Sequence, residues 1–134
     1  MANARFALNH VIIYVRDVPT SLRFYRDLLG FRTIESMAGY ARLRGPGGTA
    51  TIALHAAKAG RSPRGSREVV LYFESRDLRA ECRRLARRGV RFDDPPQLQP
   101  WGWEHAYLRD PDGHRISLYR AGRRRFLRTP PMPS

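Results

Sequence analysis

The chain has 134 residues, with a hydrophobic fraction of 42% and a charged fraction of 28%, values typical of one folded globular domain. Its apolar runs are far shorter than the roughly 20 residues that a membrane-spanning helix needs, and its first residues lack the pattern of a secretory signal. We therefore expect a single cytoplasmic domain without membrane segments.

The net charge of +13 raises the question of a nucleic-acid partner, because basic side chains that neutralise phosphates supply most non-specific affinity. The charge is spread along the chain, however, and the basic residues between Arg83 and Arg88 occupy helix positions away from the apolar stripe. No helix-turn-helix, zinc or RNA-reading motif accompanies them. We do not expect nucleic acid to be a partner.

One cysteine, Cys82, is present, which excludes an internal disulfide and a cysteine-rich metal site. It lies among apolar residues at helical spacing. The pattern predicts a buried core side chain and not a nucleophile.

The first half of the chain begins with β-branched and aromatic residues over 8–15, which predict a strand. Apolar residues then recur at helical spacing between Asp17, a helix-capping residue, and Gly30, a helix-ending one. Three short strands are predicted after this helix, over residues 31–36, 40–44 and 49–55.

A polar connector rich in glycine and serine, residues 57–67, separates the two halves. The same order of elements then begins again, with a strand over 68–74 and a helix between Asp77 and Gly89. Strands over residues 90–92, 103–108 and 115–119 complete the set. Aligning His10 with Val70 also aligns Asp17 with Asp77, so the chain holds an internal repeat.

Several short motifs occur in a characteristic order along these elements. They are His10-Val11, Ser21, Phe24-Tyr25, Leu29-Gly30-Phe31, Phe73, Asp77, Pro100-Trp101-Gly102, Glu104 and Arg109-Asp110-Pro111-Asp112-Gly113. In this order they resemble the vicinal oxygen chelate superfamily, which contains glyoxalase I, extradiol dioxygenases, fosfomycin-resistance enzymes and bleomycin-resistance proteins. The segment around Trp101 is most similar to the bleomycin-resistance branch.

The resemblance implies an α+β fold of two tandem βαβββ modules, whose curled sheets form an open barrel around a cavity with the helices outside. On this basis residues 1–120 form one domain, with modules at about 7–56 and 68–120, and residues 121–134 form a basic, proline-containing tail. Charge and proline in this tail predict an irregular segment outside the barrel. The family's architecture also implies a homodimer.

The alternation of side chains along a strand indicates which residues face the cavity. They are His10, Ile12, Tyr14, Ala53, His55, Val70, Tyr72, Glu74, Ser117 and Tyr119. Metal-dependent members of the superfamily place their ligands at the positions that are here His10, Ala53, Val70 and Ser117. Because alanine and valine offer no lone pair, we expect no metal and no other cofactor.

Aromatic residues dominate the predicted cavity face, which favours binding of a planar or amphipathic molecule. The predicted ligand-binding residues are His10, Tyr14, His55, Tyr72, Trp101, Trp103, Ser117 and Tyr119. Bleomycin itself is cationic and would be repelled by the net charge of this chain. We therefore expect a metal-free protein that binds or sequesters an aromatic or anionic small molecule, as antibiotic-resistance members of this branch do.

The alternative is an enzyme of the same superfamily, a lyase, isomerase or dioxygenase. It would use either an unusual metal site of His10, His55 and His105 or metal-free acid–base catalysis. The candidate acid–base groups are His10, His55 and Glu74.

Overall fold

The structure, a computed structural model, describes residues 9–57 and 70–128. The chain divides into two compact units, residues 1–63 and 64–134. The predicted strand start at residue 8, almost all of the connector, residues 68–69 and the prolines of the tail lie outside the described residues.

The first unit contains four strands and one helix. They are β1 (His10–Val15), α1 (Val18–Leu22) with a π-helical continuation (Arg23–Leu28), β2 (Arg32–Met37), β3 (Tyr40–Arg44) and β4 (Thr51–Ala56). The strand order is β1-β4-β3-β2, with β1 and β4 parallel and the other pairs antiparallel.

The first helix begins as predicted, because the Asp17 carboxylate accepts a hydrogen bond of 3.0 Å from the backbone N–H of Thr20. It then widens, and the N–H of Leu29 donates to the carbonyl of Phe24 at 3.0 Å. One regular helix was expected over this whole stretch. Two consecutive aromatic side chains in this wider turn, Phe24 and Tyr25, are buried.

Burial alternates along β1 as the sequence predicts. Ile13 and Val15 are buried beside the helix, whereas Ile12 and Tyr14 are each 52% exposed. The helix packs on β3 and β4. The first sheet therefore has one face in the core and one open face.

The second unit repeats this plan. It contains β5 (Val70–Glu74), α2 (Leu78–Arg87), β6 (Phe92–Leu98), β7 (Glu104–Arg109), β8 (Arg115–Arg120) and a short 3₁₀ helix (Gly122–Phe126). The strand order is β5-β8-β7-β6, with β5 and β8 parallel. The two sheets and their helices confirm the predicted α+β fold of two βαβββ modules.

The core of the second unit lies between α2 and its sheet. Leu78, Cys82 and Leu85 form the buried stripe of the helix, which packs on β6, β7 and β8. The burial predicted for Cys82 is confirmed, and burial raises the pKa of its thiol to about 11. The thiol is therefore protonated and unreactive at neutral pH.

Strand β6 is longer than the predicted strand over residues 90–92. It runs through Pro95 and Pro96, which in the sequence indicate a turn. Proline is tolerated there because β6 is the edge strand of the sheet, and its pairing with β7 shifts in register between Asp94 and Gln97.

The tail also departs from expectation, since a 3₁₀ helix covers Gly122–Phe126 where irregular chain was predicted. The Glu74 carboxylate accepts hydrogen bonds from the backbone N–H groups of Ala121 and Gly122, at 2.7 and 2.6 Å. These bonds fix the start of the helical turn. None of the helices in the described part of the chain is both long and apolar enough to cross a bilayer.

Candidate functional site

The open face of the first sheet carries three of the predicted ligand-binding residues. The Nδ1 atom of His10 lies 2.7 Å from the hydroxyl of Thr51. The ring of His55 lies 5.4 Å from that of Tyr14 and 5.9 Å from that of Tyr40. All three predicted residues are exposed, so this face has no enclosed polar group.

The alternative metal site needs His10 and His55 to approach one ion. Thr51 lies opposite His10, and His55 lies opposite Tyr14. The two histidines are therefore about 13 Å apart along the strands at about 3.3 Å per residue, whereas zinc–imidazole bonds are about 2.0–2.1 Å. Within residues 9–57 and 70–128, no three His, Cys, Asp or Glu side chains are grouped to hold a metal ion.

The ligand positions of metal-dependent relatives also fail to fit a metal. Ala53 and Val70 carry no donor atom, and Ala53 is only 2% exposed. Ser117 is completely buried, and its hydroxyl is hydrogen-bonded to His105. Of these four positions, only His10 provides an imidazole or carboxylate ligand. The four residues therefore do not fit a divalent cation.

The second sheet carries a group of interacting rings on the face opposite α2. We call it the aromatic cluster: Tyr72, Trp101, Trp103, His105, Tyr107 and Tyr119. Strand pairing brings it together, because His105 lies opposite Tyr119 and Tyr107 lies opposite Ser117. Ser117 in turn lies opposite Tyr72.

His105 is the centre of the aromatic cluster. Its ring is nearly parallel to Tyr107 at 5.5 Å and stacks on Trp103 and Tyr119 at 6.1 and 6.0 Å. The rings of Tyr72 and Trp101 meet it edge-on, at 5.3 and 5.7 Å. His105 is only 1% exposed. It is therefore enclosed by aromatic rings.

The two ring nitrogens of His105 differ in their surroundings. Nδ1 lies 2.8 Å from the Ser117 hydroxyl. Nε2 is buried and has no hydrogen-bond partner among the residues that the structure describes. Burial lowers the pKa of His105, so the ring is neutral at pH 7 and Nε2 can make one further hydrogen bond. An unmade bond of this kind costs about 1–3 kcal/mol.

Two tyrosines of the aromatic cluster, Tyr72 and Tyr119, also remain neutral at pH 7. Burial, together with a hydrogen bond to Tyr107, raises the pKa of Tyr72 to about 12. Burial and the nearby Glu74 carboxylate raise the pKa of Tyr119. The guanidinium of Arg115 lies 5.1 Å from the centre of the Tyr107 ring, so positive charge borders the cluster.

Glu74, predicted as an acid–base candidate, is occupied by structural contacts. Besides accepting from two backbone N–H groups, its carboxylate lies 3.7 Å from Arg125. Burial alone would raise the pKa of Glu74, but the donors at Gly122 and Ala121 and the charge of Arg125 outweigh it and lower the pKa. Its carboxylate is held ionised to bind the C-terminal segment.

A polar cavity of about 440 Å³ lies at the start of α2, lined by Arg76, Asp77, Leu78, Arg79, Glu104 and Arg120. The Glu104 carboxylate already pairs with Arg79 at 3.5 Å and lies 3.9 Å from Arg120. Among the described residues, the buried polar side-chain atom without a hydrogen-bond partner is Nε2 of His105, so the aromatic cluster is the stronger candidate for a ligand site.

The predicted ligand-binding residues thus separate into two groups. His10, Tyr14 and His55 lie on the first sheet, while the other five belong to the second unit. The sequence interpretation placed His105 only in a metal site and left Tyr107 out. Trp103, His105 and Tyr107 occur at every second position, and this alternation could have predicted that their rings lie on the same face of the strand.

Comparison with known proteins identifies the family. Residues 7–118 match the model of the Glyoxalase/Bleomycin resistance protein/Dioxygenase superfamily. No curated protein sequence matches the chain. A superfamily member from Sphaerobacter thermophilus DSM 20745 is 28% identical, covers 87% of this chain and 99% of its own, and has a TM-score of 0.71.

Two further solved structures are similar. A glyoxalase/bleomycin resistance protein from Streptomyces sp. CB03234 is 27% identical over 83% of this chain and 98% of its own, with a TM-score of 0.64. A glyoxalase/bleomycin resistance protein/dioxygenase from Nocardioides is 23% identical, covers 99% of this chain and 93% of its own, and has a TM-score of 0.75, which shows the shared fold. The chain belongs to the Glyoxalase/Bleomycin resistance protein/Dioxygenase superfamily.

Proposed function

We propose that the protein binds a planar aromatic small molecule at the aromatic cluster, without a metal ion. The observation that carries this proposal is the buried His105, whose Nε2 atom has no partner among the described residues although five aromatic rings surround it. A buried polar group is normally hydrogen-bonded. A ligand that offers a carbonyl, hydroxyl or amide to Nε2 supplies the missing bond.

The shape of the aromatic cluster favours a flat ligand. The rings of Trp103, Tyr107 and Tyr119 all lie within 22° of the plane of His105. A flat molecule that stacks on this set of parallel rings buries a large apolar area. One hydrogen bond to Nε2 then fixes its orientation in the plane.

Charge favours an aromatic anion over an aromatic cation. The chain has a net charge of +13, and Arg115 borders the cluster at Tyr107. The Glu74 carboxylate, which lies beside Tyr119, is already paired with Arg125. An anionic ligand is attracted over long range by this balance, and a cation is repelled.

The chain contains two tryptophans, both in the aromatic cluster, so all tryptophan emission reports on this site. We would titrate the protein with benzoate, 2-naphthoate and 9-anthracenecarboxylate, using cyclohexanecarboxylate as a non-planar anion of equal charge. Affinity should rise with the number of fused rings, while cyclohexanecarboxylate should leave the emission unchanged.

The matched variants are Trp103→Leu, within the aromatic cluster, and Tyr40→Leu, which removes a ring from the first sheet. Calorimetry should show weaker binding of 9-anthracenecarboxylate to Trp103→Leu and unchanged binding to Tyr40→Leu. The proposal is wrong if none of the aromatic carboxylates binds, or if both variants bind as tightly as the original protein.

We further propose that the protein acts as a homodimer. The support is a set of large apolar side chains on β1 and β2 that are 51–54% exposed, namely Ile12, Tyr14, Ile34 and Met37. These two strands are the edges of the first sheet, and exposed apolar side chains on sheet edges often mark an interaction surface. A cytoplasmic location stays a prediction.

A further inference from the structure

The segment Ala121–Leu127, which we call the strap, crosses from the end of β8 to the aromatic cluster. Its first end is anchored on β5 by the Glu74 carboxylate, which accepts from the N–H groups of Ala121 and Gly122. Arg125 adds a second contact to the same carboxylate. Hydrogen bonds from Arg124 N–H to Ala121 and from Leu127 N–H to Arg124 keep the strap compact.

The middle of the strap contacts the turn between β6 and β7. The guanidinium of Arg124 donates a long hydrogen bond of 3.4 Å to the carbonyl of Gly102, the residue between the two tryptophans. A methyl group at position 102 would overlap this guanidinium. Gly102 also has a backbone φ of +92°, which residues other than glycine rarely adopt. Glycine is therefore required by the backbone conformation of this turn, whereas the guanidinium, at the end of a flexible side chain, can move away from a methyl group.

This turn, residues 99–103, is the part of the aromatic cluster that can move most easily. Tyr72, Tyr107 and Tyr119 belong to paired strands, so displacing them breaks the sheet ladder. Trp101 and Trp103 precede β7 and depend on two turn hydrogen bonds, from Gln99 N–H to Trp103 and from Gly102 N–H to Gln99, at 2.8 and 2.9 Å. A ligand can therefore reach the buried Nε2 of His105 when this turn opens.

We infer that the strap holds the tryptophan turn closed over His105, with Glu74 and Arg124 as positioning residues, and so controls how fast a planar ligand enters and leaves. The control of ligand entry rests on the proposed function, whereas the closed turn does not depend on it. Neither positioning residue touches the ligand. Arg124 acts through the position of Trp101 and Trp103, whereas Glu74 acts through the strap and also hydrogen-bonds Tyr119.

The first experiment needs no ligand. Acrylamide quenches exposed tryptophans, and both tryptophans of the chain lie in the turn. Arg124→Ala should raise the quenching constant by about two- to tenfold, because a typical lost hydrogen bond changes an opening equilibrium by that factor. Glu74→Ala should raise it as well. Arg123→Ala is the matched control, since it removes a neighbouring guanidinium of the same 3₁₀ helix, and it should leave quenching unchanged.

The second experiment uses 9-anthracenecarboxylate, which accepts excitation energy from tryptophan, in stopped-flow mixing. Arg124→Ala should increase both the association and the dissociation rate several-fold, while the dissociation constant changes much less. A purely structural role for Arg124 would lower affinity without accelerating association.

The two outcomes separate the two ideas. If the original protein fails to bind 9-anthracenecarboxylate, this result counts against the proposed function. Acrylamide quenching still tests whether the strap holds the turn closed. If quenching is equal in Arg124→Ala, Arg123→Ala and the original protein, the strap does not hold the turn and the inference is wrong. Far-ultraviolet circular dichroism checks that Glu74→Ala is folded, and Arg124→Gln provides a milder variant at an exposed position.

Discussion

The two modules share one strand plan, yet their open faces differ in closure and chemistry. On the first face Ile12, Ala53 and Arg42 lie side by side across three strands. The equivalent row of the second module contains Tyr72, Ser117 and Tyr107. Exposure is similar in these two rows, because Ile12 and its equivalent Tyr72 are 52% and 45% exposed, while Ala53 and its equivalent Ser117 are both buried. The two rows therefore differ in chemistry, and the difference in closure arises elsewhere on the two sheets.

A neighbouring row shows what creates the enclosed site. Tyr40 lies opposite His55 on the first sheet, and His105 lies opposite Tyr119 on the second. His55 is exposed, but His105 is covered by the two tryptophans of the β6–β7 turn. The small Ser117 beside it holds Nδ1 at 2.8 Å. The second face is enclosed because the two tryptophan rings of the turn cover it and because the small Ser117 on the central strand hydrogen-bonds His105.

The largest effect is expected from a charge placed on the first face. If that face joins two copies, Tyr14→Glu buries an unpaired carboxylate in the interface at a cost of several kcal/mol. The dimer dissociation constant should rise by about 100-fold or more. Sedimentation equilibrium measures this, with Arg83→Glu on exposed α2 surface as the control. A dimer that survives Tyr14→Glu would place the interface elsewhere.

The next largest effect is expected at the two histidines. His105→Phe keeps a ring in the aromatic cluster but removes Nε2, so affinity for 9-anthracenecarboxylate should fall by about 10- to 100-fold, as for other buried hydrogen bonds to a ligand. His55→Phe makes the same change on the first sheet and should leave affinity unaltered. Calorimetric titration compares the two; equal losses would mean that the ligand does not depend on the second module alone.

The sequence predicted the fold well because hydrophobic periodicity and the order of short motifs depend on local residues. It failed at β6, where two prolines indicate a turn but are accommodated at a sheet edge. It also missed the strap, since Glu74 binds backbone N–H groups that lie 47 and 48 residues further along the chain. Such a contact leaves no local pattern.

The sequence predicted only those features of the candidate site that depend on local patterns. Strand alternation correctly placed Tyr72, Ser117 and Tyr119 on one face of the second sheet. The central role of His105 was not evident, because one histidine on a strand carries no motif and its burial depends on a distant turn.

A moderate effect is expected on stability rather than binding. Ser117→Ala leaves the buried Nδ1 of His105 without its partner, which should cost about 1–3 kcal/mol of unfolding free energy. Adding His105→Phe removes the stranded ring nitrogen as well and should recover most of this loss, although the double variant should still bind the ligand weakly. Urea denaturation of the single and double variants measures the coupling. Purely additive losses would mean that the His105–Ser117 bond contributes nothing.

The smallest effect is expected from acid acting on the strap. The pKa of Glu74 is lowered from its ordinary value of 4.5 in the folded protein, where the backbone donors at Gly122 and Ala121 and the charge of Arg125 outweigh burial. The strap contact is therefore fully present above that ordinary value and is lost as pH falls through the lower folded pKa. Tyr119, the other group facing this carboxylate, stays protonated throughout because its pKa is raised.

Acrylamide quenching of the two tryptophans should consequently increase on acidification below pH 4.5. Glu74→Gln carries no titrating carboxylate and should show a higher, flatter profile. His105 also gains a proton in acid, but it does so in both proteins, so the difference between their profiles belongs to Glu74. Identical profiles would mean that the Glu74 anchor does not govern the turn, and the enclosure of the second face would then have to come from the packing of its own rings.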